Sequence, residues 1–310
     1  MTKEIPVKEI EGIKNPIPTS EMLQGYIDML GDGKRDLIGI KTGEVSIDRA
    51  LLGLSGVIVL GGQAGGGKTT LAIHLAKQVA QNGTPVLFYS LEMPRVAILT
   101  KLLSSLSQVG YGDILLSGKT AFNDEDSRLT PNSKEAIRDG KEELEKFADL
   151  LYIKTRDKED GEVTFSTATA DIEYLKKKHK TDNVFVIVDH LQVFTPSTAV
   201  RDQIQKEQDL INGFKGININ TNATVLLISQ QNKASYNNTT VTSIKGSVDI
   251  IYLADVVMFV KKQDEDEEIA EAFSDGETDI EIVIDKNRYN APRTIKGKMT
   301  AKYSLMKFEE

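Results

Sequence analysis

The sequence predicts an α/β protein: a mostly parallel central sheet, helices on both of its faces, and an antiparallel C-terminal extension. Three observations predict it. Short apolar, β-branched runs at Val57–Leu60, Val86–Tyr89, Val184–Val188 and Thr224–Ile228 alternate with stretches of helical spacing, the pattern of repeated strand–helix units. The first run passes through a glycine-rich loop into a helix whose Leu71, Ala72, Leu75, Ala76 and Val79 share one face. Near the C-terminus the period changes, with Ile280, Ile282 and Ile284 alternating and Tyr303 to Phe308 alternating again, as strands of an antiparallel extension do.

Composition limits the possible functions. The 310 residues are 40% hydrophobic, enough for one large domain or one domain with an appendage. There is no cysteine, which excludes disulfides and thiolate metal sites. His74, His179 and His190 are far apart and form no ligand spacing, so a metal is expected as Mg²⁺ on a nucleotide rather than as caged zinc. The net charge of −8 argues against non-specific coating of nucleic acid, so any such contact must be local. The most apolar stretch, Leu51 to Leu60, is too short and too glycine-interrupted to span a membrane. A soluble, cytoplasmic protein is expected, or one in the host cytoplasm if virus-encoded.

In order, Met1 to Pro18 is polar and proline-bearing and is expected to be a mobile arm. Thr19 to Leu30 reads as a short helix with Met22, Tyr26, Met29 and Leu30 on one face, ended by Gly31-Asp32-Gly33. It either folds back on its own domain or docks on a neighbouring subunit. The expected division is therefore 1–35, arm and linker helix, and 36–310, the main domain. Ile38 to Leu54 reads as a turn and short helix leading into the first strand. Asn82-Gly83-Thr84-Pro85 breaks the next helix before strand Val86–Tyr89. A helix to about Gln108 follows, with Val96, Leu99, Leu102, Leu103 and Leu106 as its apolar positions. The polar region Gly110 to Gly140 leaves room for short helices, one near Asp113–Leu116 and one over Ser133–Phe147. Beyond it come a strand at Leu150–Ile153, a helix at Thr167–His179 with a basic end, and the strand Val184–Val188. Arg201 to Ile219 reads as a helix weakened by Gly213 and Gly216. Asp255–Val260 is another strand, and the acid-rich Asp264–Asp279 an exposed loop or hairpin tip.

The glycine loop carries the chemistry. Gly62-Gln63-Ala64-Gly65-Gly66-Gly67-Lys68-Thr69 matches G-x-x-x-x-G-K-[ST] between a strand and a helix, which is the context of a phosphate cradle. Glycines let backbone N–H groups turn inward around phosphate oxygens, and a helix N-terminus adds unpaired N–H groups and a positive dipole end. Lys68 is expected to reach the β- and γ-phosphates, and the Thr69 hydroxyl to ligand Mg²⁺. In parallel sheets ligands sit beyond the strands' carboxyl ends, which puts Glu92, Asp189 and Gln230 on the loop's edge. Asp189 is expected to order the metal, Glu92 to take a proton from attacking water, and Gln230 to sense the γ-phosphate. Lys286 and Arg288, after the Ile280–Ile284 strand, are candidates for positive charge supplied to a neighbouring subunit's site. Ser229 to Ser247 holds Lys233, Lys245, Tyr236 and many amides but no acid, a composition suited to single-strand phosphates and equally that of a polar loop.

Taken in order, GGQAGGGKTT, FYSLEM, VIVDHLQ, LISQQNK, IKGS with ADVVMF, and DKNRYNAPRTIKG resemble the RecA-like ATPase domain of DnaB-type replicative DNA helicases. The resemblance runs from about Ile38 to Phe308. It implies a ring, usually hexameric, with ATP between subunits and single-stranded DNA in the channel, and it leaves room for a helicase loader. It makes Gly62, Gln63, Ala64, Gly65, Gly66, Gly67, Lys68, Thr69 and Thr70 the nucleotide cradle, with Mg²⁺ on Thr69 and on Asp189, the Walker B acid. It makes Glu92 the water activator and Gln230 the γ-phosphate sensor. Lys286 and Arg288 match the basic pair that enters the adjacent site, and Lys245 and Gly246 fall in a loop touching the DNA backbone. Met22 to Leu30 matches the family's linker helix, which packs on the neighbouring subunit.

The sequence also departs from the family. The resemblance does not extend to the family's N-terminal, primase-binding helical domain, so primase coupling is not implied by it. His190 stands where the bacterial pattern usually has Tyr, and Lys245-Gly246 replaces an Arg-Glu pair. Two other readings share the glycine loop. One is a RecA-fold recombinase or KaiC-like regulatory ATPase, disfavoured because a KaiC-like chain pairs two acids where Leu91-Glu92-Met93 stands. The other is a non-motor ring that uses nucleotide only to assemble.

Overall fold

The computed structural model describes residues 18–31, 37–117, 129–157, 160–191, 194, 203–229, 253–262 and 277–309. Gln230, Lys233, Tyr236, Lys245 and Gly246, the arm before Pro18 and most of the acid-rich stretch lie outside the described residues. The chain divides into two compact units, 1–36 and 37–310. The first contains α1 (Thr19–Gly31), on which Met22, Leu23 and Ile27 are all exposed.

The second unit is built on one nine-stranded sheet in the order β3-β2-β4-β5-β1-β6-β7-β8-β9. Its strands are β1 (Val57–Gly62), β2 (Val86–Ser90), β3 (Leu151–Lys154), β4 (Phe185–Asp189), β5 (Thr224–Ile228), β6 (Val256–Lys262), β7 (Thr278–Asn287), β8 (Arg293–Thr300) and β9 (Leu305–Phe308). The six strands from β3 to β6 run parallel, and β6 to β9 run antiparallel. Between them come α2 (Val45–Leu51), α3 (Lys68–Gln81), α4 (Arg95–Ser107), α5 (Tyr111–Ser117), α6 (Pro131–Glu145), α7 (Phe165–His179) and α8 (Gln203–Thr221).

The two-residue period of a strand divides the core into two layers. Ile58, Leu60, Phe88, Ile187, Leu226 and Met258 face α2, α3 and α4. Their neighbours Val57, Val59, Leu87, Val186, Val225 and Val257 face α7 and α8. Helices on both faces are what make the central parallel strands apolar along most of their length.

The structure corrects two local expectations. β8 forms over Arg293–Thr300, where no strand is expected. Gly297 interrupts its alternation because a Cβ there would lie 2.5 Å from the Lys307 carbonyl oxygen. On α4 the buried face is Ala97, Ile98, Thr100, Leu102, Ser104 and Ser105, whereas Val96 and Leu99 point to solvent. Two of the buried hydroxyls are satisfied within the helix, as Thr100 Oγ1 donates to the Val96 carbonyl at 2.8 Å and Ser105 Oγ to Leu102 at 2.8 Å, while Ser104 Oγ donates to the Val109 carbonyl beyond the helix end at 2.6 Å. Hydropathy cannot see such residues as core.

α8 runs through Gly213 without a break. The side chain is missing there because Phe165 of α7 occupies its place: a Cβ would sit 2.2 Å from the ring.

Candidate functional site

β1 ends at Gly62, and the chain turns through Gln63–Gly67 into α3. Gly67, the residue before α3, has φ +95°, in the left-handed region where a side chain is strained. A Cβ there would also meet Met299 Sδ of β8 at 2.7 Å. The antiparallel extension thus backs the loop and holds its backbone bare.

Lys68, the first residue of α3, is buried. Its Nζ donates to the carbonyls of Gly62 at 2.9 Å and Gln63 at 2.7 Å, so the ammonium lies across the mouth of the loop. Burial pushes its pKa down, opposed by the carboxylates of Asp189 and Glu92. Thr69 Oγ1 donates to Asp189 Oδ2 at 2.8 Å, which joins the start of α3 to the end of β4. Asp189 is only 2% exposed. Burial raises its pKa, against the hydrogen bond from Thr69 and the charges of His190 and Lys68.

Strand register places Glu92. Ser90 at the end of β2 pairs with Asp189 at the end of β4, and the Leu91 N–H donates to the Asp189 carbonyl at 2.7 Å. Ser90 Oγ closes the turn on the Met93 carbonyl at 2.6 Å. Leu91 turns into the α7–α8 layer, and Glu92 faces outward.

There Glu92 Oε2 lies 2.8 Å from His190 Nδ1. One potential ligand atom each of Glu92, Asp189 and His190 lies within 4.8 Å of the others. These groups and the glycine loop face one another across a cleft of about 470 Å³, whose lining also includes Lys101, Lys262, Met299 and Ala301.

Gln63, Ala64 and Gly65 form the loop's exposed tip, and Gly66 and Thr70 are buried at its base. The sequence reading missed Lys101 and the pairing of His190. Lys101 is a cation on an otherwise apolar and hydroxylic stretch of α4; burial lowers its pKa while Asp189 opposes the shift. Its Nζ reaches Ser304 Oγ at 3.4 Å and lies 5.2 Å from the Tyr111 ring centroid.

Lys286 and Arg288 are not in this cleft. β7 is antiparallel to β6, so its end lies at the sheet's amino edge, with Lys286 paired to Val257. Lys286 Nζ donates to the Ala254 carbonyl at 2.7 Å, and Arg288 Nη1 to Asp255 Oδ1 at 3.0 Å. Asp255 bonds in turn to the start of β1, where the Val57 N–H donates to its Oδ2 at 2.8 Å. Val57 to Gly62 is the whole length of β1, roughly 17 Å at about 3.3 Å per residue, beyond the reach of an arginine side chain.

Fold and cleft together define a nucleotide-binding α/β protein of the glycine-loop class. The family described as DnaB-like helicase C terminal domain matches residues 39–310, and the chain belongs to that family. The replicative DNA helicase DnaB of Helicobacter pylori is 22% identical over 81% of this chain and 49% of its own length. That of Rickettsia bellii is 26% identical over 83% of the chain and 51% of its own length. The chain therefore spans about half the length of the curated relatives it matches. Among solved structures, an isolated ATPase domain superposes with a TM-score of 0.80 at 18% identity, over 96% of this chain and 100% of that one. A DnaB-like replicative helicase studied with primase superposes at 0.79 and 18% identity, over 93% of this chain and 68% of that one. Both likenesses show the fold: a mostly parallel sheet with helices on both faces and an antiparallel C-terminal extension.

Proposed function

We propose that this chain hydrolyses ATP at the seams between copies of itself in a ring, hexameric by its family, and so moves single-stranded DNA through the channel. One observation carries the reading. Each copy holds a phosphate cradle at the sheet's carboxyl edge and a basic pair at the amino edge, too far from its own cradle to serve it. Two copies in succession complete one site.

In that site the backbone N–H groups of Gly62–Thr70 and the Lys68 ammonium hold the triphosphate. Lys68 exchanges the carbonyls of Gly62 and Gln63 for phosphate oxygens. The hydroxyl of Thr69 and the buried carboxylate of Asp189 are hard oxygen donors that suit Mg²⁺, and when bound it would neutralise charge on the β- and γ-phosphates. Glu92 accepts the proton of the attacking water. Lys286 and Arg288 of the preceding copy meet the charge that develops on the γ-phosphate. Gln230 as γ-phosphate sensor, and Lys233, Lys245 and Gly246 as DNA contacts, rest on the family motif.

Exposed Met22, Leu23 and Ile27 support α1 of the 1–35 segment as a linker helix that docks on the neighbouring copy. Interaction with a helicase loader and a cytoplasmic site of action follow from the family alone. Among the described residues no helix is long and apolar enough to cross a membrane.

The test is ATP turnover with and without single-stranded oligonucleotide, beside strand separation on a forked duplex. Strong stimulation and separation are expected. Slow turnover indifferent to oligonucleotide would overturn the motor reading and leave a nucleotide-assembled ring.

A further inference from the structure

We infer that His190 is a positioning residue: its imidazole holds the Glu92 carboxylate at the phosphate edge of the cleft. The inference rests on Glu92 being the base for the attacking water.

The backbone brings the two residues together. β2 and β4 are adjacent parallel strands that end level, Ser90 against Asp189, and the Leu91 N–H bonds to the Asp189 carbonyl. Their next residues diverge in direction. Leu91 and Leu191 are buried in the α7–α8 layer at 6% and 0% exposure, which turns Glu92 and His190 out toward the cleft. Burial of both leucines outweighs a single exposed hydrogen bond, so the outward direction is set by the core rather than by the polar pair.

Glu92 needs a restraint. Its side chain is 58% exposed, and a free glutamate loses rotamer entropy when ordered. An ionised carboxylate only accepts hydrogen bonds, so at 2.8 Å the Nδ1 of His190 is the donor. The imidazole is itself held, with its side chain 12% exposed. A half-buried ring on the residue after Asp189 thus fixes the distance from the base to the Thr69–Asp189 pair.

The test is a double-mutant cycle on the full chain with ATP, Mg²⁺ and oligonucleotide. His190→Phe keeps the ring and removes the donor. It is expected to lower kcat about tenfold or more, the usual scale for a group that orients a catalytic one, with KM unchanged. Affinity for a fluorescent non-hydrolysable ATP analogue is expected to stay within about twofold. His190→Asn, whose amide can donate from a similar position, is expected to restore most of kcat. In a Glu92→Ala background His190→Phe is expected to cost nothing further, since there is no carboxylate left to hold.

Full or raised turnover in His190→Phe overturns the inference, as does an equal loss with or without Glu92. Those results leave Glu92 as the base. Full turnover in Glu92→Ala alone instead removes the reading on which the inference stands.

Discussion

Arg288 donates to Asp255 at 3.0 Å at the opposite end of β1 from the glycine loop of its own chain. A basic group proposed to act on triphosphate is thus parked on a buried carboxylate, one strand length from the nearest cradle. On the proposed reading the triphosphate belongs to the next copy, which can be tested in mixed rings.

Lys68→Ala leaves the basic pair intact and disables the cradle; Arg288→Ala does the reverse. Each alone is expected to lose turnover by at least about a thousandfold, the scale of a missing arginine finger. Mixed in equal amounts, they form some seams with an intact cradle and an intact pair, and a measurable fraction of turnover is expected to return in a steady-state ATPase assay. No recovery in mixtures shown to co-assemble would exclude a shared site.

Asp255 is the anchor of this edge. It is 2% exposed and takes the Val57 N–H at 2.8 Å, Lys215 Nζ at 2.5 Å and Arg288 Nη1 at 3.0 Å. Removing one partner of a buried ion cluster leaves the others uncompensated, at a cost of about 3–5 kcal/mol. Asp255→Ala is expected to lose that much in urea unfolding, and Asp255→Asn, which keeps an acceptor for Val57, less. A loss below about 1 kcal/mol for the alanine would mean that Lys215 and Arg288 are satisfied without it.

Asp189 predicts a trade of stability against function. Burial raises its pKa in the folded chain, so the native state keeps a proton through a pH window in which the unfolded chain has released it. Stability therefore falls as pH rises through that window. Asp189→Asn keeps an acceptor for Thr69 and removes the buried charge. Without nucleotide and with EDTA present, its Tm is expected to exceed that of the parent at neutral pH. The difference should close as the pH falls below about 3, under the ordinary aspartate value of about 3.9, where the parent carboxyl is protonated in both states. The same variant is expected to lose Mg²⁺-dependent turnover. A Tm gain that does not depend on pH would show that the charge is not its source.

Gly213→Ala sets two effects against each other. Alanine in a helix interior gains about 1 kcal/mol over glycine. The new Cβ, however, falls 2.2 Å from the Phe165 ring, which is packed against Phe194 and Phe214 with centroids 4.9 and 5.2 Å away. Displacing an aromatic cluster costs about 1–3 kcal/mol, so the substitution is expected to lower Tm. A rise would mean that the ring moves freely and that α7 and α8 pack less tightly than the distances indicate.

The sequence is informative wherever the governing interactions are local. The cradle is legible because glycines, lysine and threonine act within eight consecutive residues, and their flanks declare a strand and a helix. The central parallel strands are legible because burial on both faces makes their runs apolar almost throughout. α4 and β8 escape such a reading for a shared reason: serines, threonines and a glycine are buried there by backbone contacts that a hydropathy pattern does not register. Lys101 escapes in the same way, as its place in the cleft depends on how α4 lies against the turn between β8 and β9.

The sequence by itself therefore determined the fold class, the phosphate loop and the strand-end carboxylates Glu92 and Asp189, because short-range spacing and periodicity encode them. Only the tertiary structure decided that His190 grips Glu92, that Thr69 meets Asp189 across 120 residues, and that Lys286 and Arg288 lie at the far edge of the sheet. Those are consequences of strand order, register and direction, which arise from packing between segments remote in the chain and leave no local mark in it.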